Sequence, residues 1–402
     1  RQALHDFQGP CITTEGSAKA QEQQTMSVSV RPVLSKRDKK LFLDVPFALY
    51  GKGSNWVAPL YFERFEHLDP KKNPYFEHAE GQLFLAEIDG KPVGRISAQI
   101  DRLHLERYRD ATGHFGFLEA PDDPEVFAAL FGAAGNWLKA RGMKTVRGPF
   151  NFSINDEMGL LVDGFDRPPN MMMGHALPYY AARVEAAGFT KAKDVIAYYY
   201  DDKNPLPKLL SVAYERAMKS SHISVRPIDK KNLARDLEII LSIHSDAWSD
   251  NWGFIPFTPK ELKALGDNLK FLVTGEFIAI ASYKGEPAAF SVTLPNLNEW
   301  IAGLDGKLLP FGWAKLAWNL FGRAPNSVRM PLMGVRRKFH GTMAGSSLAL
   351  AVIETVRRYH ISRGTGSSEL SWILEDNQPM RHMLEEMGAI PYKTYRIYEK
   401  AI

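Results

Sequence analysis

Cysteine is nearly absent from this chain: one residue, Cys11, in 402. A disulfide framework and a cysteine metal site are therefore excluded, and a reducing cytosol is the default compartment. Metal-ligand spacing is missing too, because His104, His114 and His175 are scattered and no HExxH pattern occurs. No G-x-S-x-G elbow marks a serine nucleophile. No run approaches the roughly 20 apolar residues of a membrane span. Charge of one sign is also lacking, with 50 Lys and Arg against 46 Asp and Glu. A net +4 excludes a strongly basic nucleic-acid binder. The apolar content, 45%, is enough to fill two cores. Residues 1–25 carry no initiator Met, are rich in Gln and lack the apolar centre of a signal peptide, so they read as a disordered leader or non-native segment.

What is present is concentrated between Ser327 and Tyr359. An apolar strand runs into the basic turn Arg336, Arg337, Lys338, and that turn opens onto a helix with Leu348, Val352, Val356 and Tyr359 on one face and Glu354, Arg357 and Arg358 outward. Such a junction offers unpaired N–H groups and the positive end of a helix dipole to a multiply charged anion. The P-loop spacing is absent, and a dinucleotide fingerprint needs three glycines where this turn has Gly341 and Gly345. A solvated basic turn before an ordinary helix is the bland alternative. Thr342, Ser346 and Ser347 add hydroxyl groups at the helix start.

The turn resembles the acyl-CoA pyrophosphate loop of the GNAT acyltransferase superfamily, with His340, Gly341, Thr342, Met343, Ala344 and Gly345 in register. His340 stands where that family prefers Arg or Gln, and Met343 where it has a glycine. The resemblance implies that Met333, Gly334, Val335, Arg336, Arg337, His340, Gly341, Thr342, Ala344, Gly345 and Ser346 hold acyl-CoA as cosubstrate, with no permanently bound cofactor. Downstream come the strand SELSWIL, a turn carrying Asn377, a short helix stopped by Gly388 and an aromatic last strand. That is the order of the second half of a GNAT domain, and Asn377 matches its loop asparagine near the pantetheine arm. Upstream, a strand at 223–228, helices at 232–248 and 258–269, and a hairpin at 277–294 complete a domain over 221–402.

The first half reads as a divergent copy of the same plan. A helix at 38–50, a hairpin around Asp89 and Gly90, a strand at 114–118 and a helix opened by Asp123 and Pro124 lead to the short helix 179–189 and the strand 195–200. The loop matching the phosphate turn is Glu119, Ala120, Pro121, Asp122, Asp123, whose carboxylates would repel a pyrophosphate. The expected fold is thus α/β with a mixed sheet, in two tandem GNAT-like domains, 26–204 without the pyrophosphate loop and 221–402 with it, joined by a linker helix at 205–220.

Candidate acceptor and catalytic groups fall in three places. The odd stretch 148–180, with Pro168, Pro169 and Met171 to Met173, reads as an adaptable apolar wall, and Asn155, Asp156 and Glu157 put amide and carboxylate groups beside it. An amine nucleophile must lose a proton, so Glu157 or Asp156 is a candidate base; pairing with Arg147 or Arg167 is the structural alternative. His244, Trp248, Asn251 and Trp252 end the first helix of the second domain, where GNAT enzymes place acceptor-binding residues, with His244 a further candidate base. Tyr395 or Tyr392 is a candidate acid for the departing thiolate. An insertion at 303–326 sets Trp313, Leu316, Ala317, Leu320 and Phe321 on one helical face with Lys307, Lys315 and Arg323, suited to a membrane surface, to the mouth of a lipid site or to core packing.

Through NPYFEHAE (73–80), GPFNFSINDEMGLL (148–161), NWGFIPFT (251–258) and GVRRKFHGT (334–342), the chain resembles a bacterial tandem-GNAT group that includes the bacterial ceramide synthases. That resemblance implies transfer of a fatty acyl group from acyl-CoA to the amine of a sphingoid base, in the cytoplasm or peripherally at the inner membrane surface, with 308–321 as membrane contact and no nucleic-acid partner. Acylation of an amino acid, peptide or small amine, and a non-catalytic lipid- or CoA-binding role, stay open at this point.

Overall fold

The computed structural model describes residues 27–402, so the reading of 1–25 lies outside the described residues. The first half runs β1 (Val28–Pro32), α1 (Lys36–Leu49), α2 (Tyr61–His67), β2 (Ala79–Ile88), β3 (Lys91–Asp101), α3 (Arg102–Tyr108), β4 (Thr112–Glu119), α4 (Pro124–Lys139), β5 (Thr145–Gly148), β6 (Leu160–Asp163), α5 (Tyr180–Ala186) and β7 (Thr190–Asp201). Helix α6 (Lys208–Lys219) links it to β8 (Ile223–Pro227), α7 (Leu233–Trp248), α8 (Pro259–Leu272), β9 (Ile278–Tyr283), β10 (Glu286–Pro295), α9 (Asn298–Ile301), α10 (Gly312–Gly322), β11 (Ser327–Val335), α11 (Met343–Ser362), β12 (Ser367–Leu374), α12 (Gln378–Met387) and β13 (Ile390–Ala401).

Both halves repeat one plan at the level of single side chains. β1 reads VSVRP and β8 reads ISVRP, and each arginine pairs with an aspartate of the helix that follows: Arg31 with Asp38 at 2.8 Å, Arg226 with Asp236 at 2.6 Å. The hairpin turn Asp89–Gly90 has φ of 50° and 72°, the doubly positive geometry that matches strand twist. Helix α4 buries Val126, Phe127, Leu130, Phe131, Ala134 and Leu138, the stripe its spacing predicts.

Among the described residues all strands join one mixed sheet of 13, in the order β1-β2-β3-β4-β5-β13-β7-β12-β11-β10-β9-β8, with β6 pairing β13 off this path. At the seam the last strand of each half crosses over. β13 lies beside β5 of the first half, and β7 pairs with β12 of the second. Sequence reasoning divided the chain into tandem units at 26–204 and 221–402; in the sheet their last strands interleave, β7 and β13 being long, aromatic and antiparallel to each other.

One helix differs from its reading. Glu354 and Arg357 of α11 are buried rather than outward, Glu354 accepting from Arg357 at 2.6 Å and Arg358 at 2.9 Å. The linker helix is the reason: Tyr214 of α6 lies against that side, its hydroxyl 3.4 Å from Thr355 and its ring under Arg358.

Candidate active site

β11 and β12 run parallel only from Ser327 and Ser367 to Met330 and Leu370, and then part. β11 stays paired with β10 as far as Val335, so from Pro331 onward one edge of it has no strand partner. Arg336 donates its N–H to Ala288 of β10 at 2.8 Å; by strand alternation Met333 and Val335 face the opened edge. Their carbonyls are held there by side chains, Met333 by the Trp248 indole at 2.9 Å and Val335 by His340 Nε2 at 2.7 Å. Gly334 is needed at this point, since a Cβ would lie 2.9 Å from the Phe290 ring and 3.3 Å from Ala247.

The fork opens onto the start of α11. Thr342 caps it, accepting from the Gly345 N–H at 3.1 Å, and Ser346 donates to the Thr342 carbonyl. The N–H groups of Met343 and Ala344 lie in the first turn, where no intrahelical acceptor exists. Gly345 allows the loop to pass over the helix, because a Cβ would overlap the Phe339 carbonyl oxygen. Gly341 has φ 69° and open space around it, so its demand is conformational rather than steric. Met343 points to solvent.

The cations of this turn are tied to neighbours. Arg337 bonds Asp250 at 2.8 Å, its own N–H reaches Asp246 at 2.8 Å, and Lys338 pairs with Glu286 at 2.6 Å. Arg336 donates to the Pro287 carbonyl and Ser242. His340 turns back to the strand. Asn377 caps α12 through Met380 N–H at 3.3 Å, which uses its oxygen and leaves its amide nitrogen available.

At the root of the fork lies a buried polar cluster that sequence reasoning missed, apart from Tyr392. Glu369 accepts from the Tyr392 hydroxyl and from Ser371, and stands 3.6 Å from Arg329. Burial, then the Glu369 charge, pushes the Tyr392 hydroxyl well up. Lys393 is buried beside them and burial brings it down to about 8. These donors clamp the 148–180 stretch of the first half. Lys393 reaches the carbonyls of Arg167 and Pro168, Asn298 those of Pro169 and Asn170, Arg329 those of Met171 and Met172, and Tyr395 that of Gly174. A lone charge inside an apolar strand, as Arg329 in SVRMPLMGV and Glu369 in SSELSWIL, was the available signal, because an unpaired buried charge is prohibitive.

The other candidates are placed as follows. Glu157 is half-buried and pairs with Arg64, with Asn151 donating at 2.6 Å; desolvation alone would raise its carboxyl, but Arg64 outweighs that and holds it below the usual range. Asp156 lies 3.7 Å from His67. The expected partners Arg147 and Arg167 are engaged elsewhere: Arg147 on Glu399 at 2.9 Å, Arg167 over the Tyr199 and Tyr392 rings. Tyr395 is fully buried, and after burial itself the charge of Glu369 raises its hydroxyl, Glu157 adding to the effect.

His244 is enclosed by Trp248, Phe254, Phe257 and Phe290; neither ring nitrogen has a partner, and burial brings it down to about 4. That makes it a neutral imidazole in an aromatic box. Asn155 donates to Ile255 at 3.2 Å and Trp252 sits under Arg147, so both join the halves across a small pocket also lined by Phe150 and Ile154. Asn251 accepts from the Phe254 N–H and donates to the Trp248 carbonyl in a tight turn. Trp313 is remote from this group of residues in its contacts, bonding Pro310 at 3.1 Å on an exposed helix.

The first half has the same fork, filled. β4 and β5 pair from Thr112 to His114, after which Phe150 N–H bonds Phe115 at 2.8 Å and Asn151 accepts from Phe117 N–H at 2.7 Å. A Cβ on Gly116 would overlap the Phe150 carbonyl. Glu119, read as part of the acidic turn, points inward instead, accepting from Tyr50 at 3.1 Å and Tyr180 at 2.7 Å, and burial pushes it up to about 7. Asp123 caps α4 through Glu125 N–H, and Asp122 pairs with Arg183 at 2.6 Å.

A strand fork, a capped helix start beside it and a second copy of both define a tandem GNAT fold. A tandem GNAT protein from the clavulanic acid biosynthesis pathway superposes with a TM-score of 0.55 at 14% identity, covering 93% of this chain and 98% of that one. No family model matches the chain. Two relatives are much nearer in sequence. Protein YghO of Escherichia coli is 46% identical over 375 residues, 93% of this chain and 95% of the relative. The bacterial ceramide synthase of Caulobacter vibrioides is 45% identical over 376 residues, 93% of this chain and 98% of the relative. The chain belongs to the family of these two proteins.

Proposed function

We propose that the protein is an acyl-CoA-dependent N-acyltransferase that moves a long-chain fatty acyl group to the amine of a sphingoid-type lipid base. The observation that carries this reading is the open fork between β11 and β12, with a capped helix start at one end and the buried Glu369 carboxylate bonded to the half-buried Tyr392 hydroxyl at the other. The relationship to the bacterial ceramide synthase supports the choice of acceptor.

In this reading the units 26–204 and 221–402 are the two tandem repeats, and only the second takes acyl-CoA as cosubstrate. The Met343 and Ala344 N–H groups and the α11 dipole bind the pyrophosphate, with Thr342, Gly345 and Ser346 shaping the turn. Arg336 and Arg337 flank it, Arg337 exchanging Asp250 for phosphate. The pantetheine arm runs along Met333, Gly334 and Val335 and reaches Asn377. His340 serves as a strut of the loop rather than a phosphate ligand. The 167–174 wall, Trp248 and the aromatic box of His244 border the acceptor.

The lone pair of the neutral amine attacks the thioester carbonyl, and as the C–N bond forms the nitrogen gives a proton to the Tyr392 oxygen while Tyr392 passes its own to Glu369. Collapse of the tetrahedral intermediate breaks the C–S bond. The same hydroxyl returns the proton to the CoA thiolate. Glu157 and Tyr395 hold the neighbouring charge and the wall in place. The enzyme works in the cytoplasm on a lipid acceptor; among the described residues no helix is long and apolar enough to cross a membrane.

The test is incubation of purified protein with long-chain acyl-CoA and a sphingoid base, followed by mass spectrometry of the N-acyl product and assay of free CoA. Absence of both would remove the reading. A non-catalytic acyl-CoA binder competes with it, because Arg337 and Lys338 are already paired with carboxylates; CoA bound without release would favour that.

A further inference from the structure

We propose that Lys307–Arg323, which includes α10, docks the protein onto an anionic lipid bilayer. Core packing, one alternative for this insertion, is not what the chain builds. None of the described side chains of α10 is buried, and Leu309, Phe311, Trp313 and Trp318 are 79%, 77%, 56% and 72% exposed. Four large apolar groups in water on one short segment need an explanation that scattered surface residues do not.

The charge around them selects the occupant. Lys307, Lys315 and Arg323 are exposed, form no ion pair among the described residues, and no Asp or Glu occurs from 306 to 324. In the turn before α11 the opposite holds, with Lys338 and Arg337 each paired. A second copy of the chain packed on this face across a twofold axis would set three cations against three cations. An anionic headgroup layer takes them all, while the indoles and apolar tips enter the boundary below.

The segment is rooted so that docking would be felt at the fork. The Gly306 carbonyl accepts from Tyr61 N–H at 2.9 Å, Glu299 accepts from Asn326 N–H at 3.1 Å where β11 begins, and Asn298 holds Pro169 and Asn170 of the wall. The purpose assigned here, presenting a membrane-held amine to the site, rests on the lipid acceptor proposed above; the surface itself does not.

Flotation of the full chain with vesicles of phosphatidylcholine alone and of phosphatidylcholine mixed with phosphatidylglycerol tests the assignment. Binding to the mixed vesicles only, falling as salt rises and lost in a Phe311→Ser/Trp318→Ser variant of unchanged circular dichroism, is the expected result; Lys315→Glu should weaken it several-fold. No flotation with the mixed vesicles, or undiminished flotation of the double variant, overturns the proposal. So does a concentration-dependent dimer abolished by the same substitutions without vesicle binding. Vesicle binding without N-acyl product from any sphingoid base, soluble or embedded, leaves docking standing and removes the acceptor reading.

Discussion

The two parallel forks of this sheet, β4 with β5 and β11 with β12, start alike and end differently. After the last pair, His114 with Arg147, the first fork is filled by the chain's own backbone at Phe150 and Asn151, which sits directly on Gly116. After Met330 with Leu370, the second is left with Met333 and Val335 facing an edge that has no strand partner, only the Trp248 and His340 side chains. The helix starts follow suit. α4 is satisfied by Asp123 and faces Asp122, whereas α11 has a neutral threonine cap and no carboxylate in its first turn. One copy has thus turned its ligand groove into core, and the segment that leaves that core, 148–180, has become a wall for the other copy. A degenerate repeat need not be idle; in the proposed reading its 167–174 stretch borders the acceptor.

Glycine substitutions should break the comparison most sharply. In Gly116→Ala the new methyl meets backbone, and overpacking of that kind should lower stability by about 3 kcal/mol or more, read as a drop in Tm without a separate defect in CoA affinity. In Gly345→Ala the clash with Phe339 should instead displace the α11 start. Loss of two hydrogen bonds to a charged group, roughly 1.5–3 kcal/mol each, corresponds to about 100-fold or more in Kd for CoA by calorimetry. If both variants merely unfold, the forks are not functionally distinct.

Proton handling comes next in size. Tyr392→Phe and Glu369→Gln should lower kcat by roughly 10²- to 10⁴-fold with little change in KM for acyl-CoA. Glu157→Gln, leaving Arg64 buried without its partner, should lower Tm more than kcat. The reverse pattern would move the base to the first half.

The contact between halves can be read through pH. His78 of the first half bonds Asp101 at 2.9 Å and Glu261 of α8 at 3.2 Å; burial alone would lower it, but the two carboxylates push it up to about 9 from 6.5. A raised folded value means that the folded state binds the extra proton, so this stabilisation is complete below pH 6.5 and disappears as pH rises through 9. At about 1.4 kcal/mol per unit it amounts to at most roughly 3 kcal/mol. His78→Gln should flatten the fall in urea-unfolding stability over that window; an unchanged slope would show that the latch does not titrate. The smallest effect expected is Thr342→Ala, where a lost cap is worth about 1 kcal/mol of helix stability and a few-fold in CoA affinity.

Much of this was legible beforehand. The 3.6-residue stripe of α4, the Asp89–Gly90 hairpin, the Thr342 cap and the phosphate-type turn are local, and local chemistry writes them into the chain. His244 could be located on its helix, but its aromatic enclosure could not, since Phe254 and Phe257 come from the loop after it and Phe290 from β10. Glu157 and Asp156 were noticed as carboxylates; that Arg64 and His67 would be their partners depends on contacts some ninety residues away. Glu119 was read with Asp122 and Asp123 as part of an acidic turn, yet the distant Tyr50 and Tyr180 hydroxyls hold it inside.

The sequence by itself determined where the main helices and strands lie and that the plan occurs twice, and it marked one turn as phosphate-type in pattern, because capping, periodicity and turn geometry act over a few residues. Only the tertiary structure decided that the last strands cross between halves, that one fork is filled and the other open, and that Arg329, Glu369, Tyr392 and Lys393 meet behind the 167–174 wall. Those outcomes depend on pairing across long stretches of chain and on the demand that every buried charge find a partner, neither of which any local pattern records.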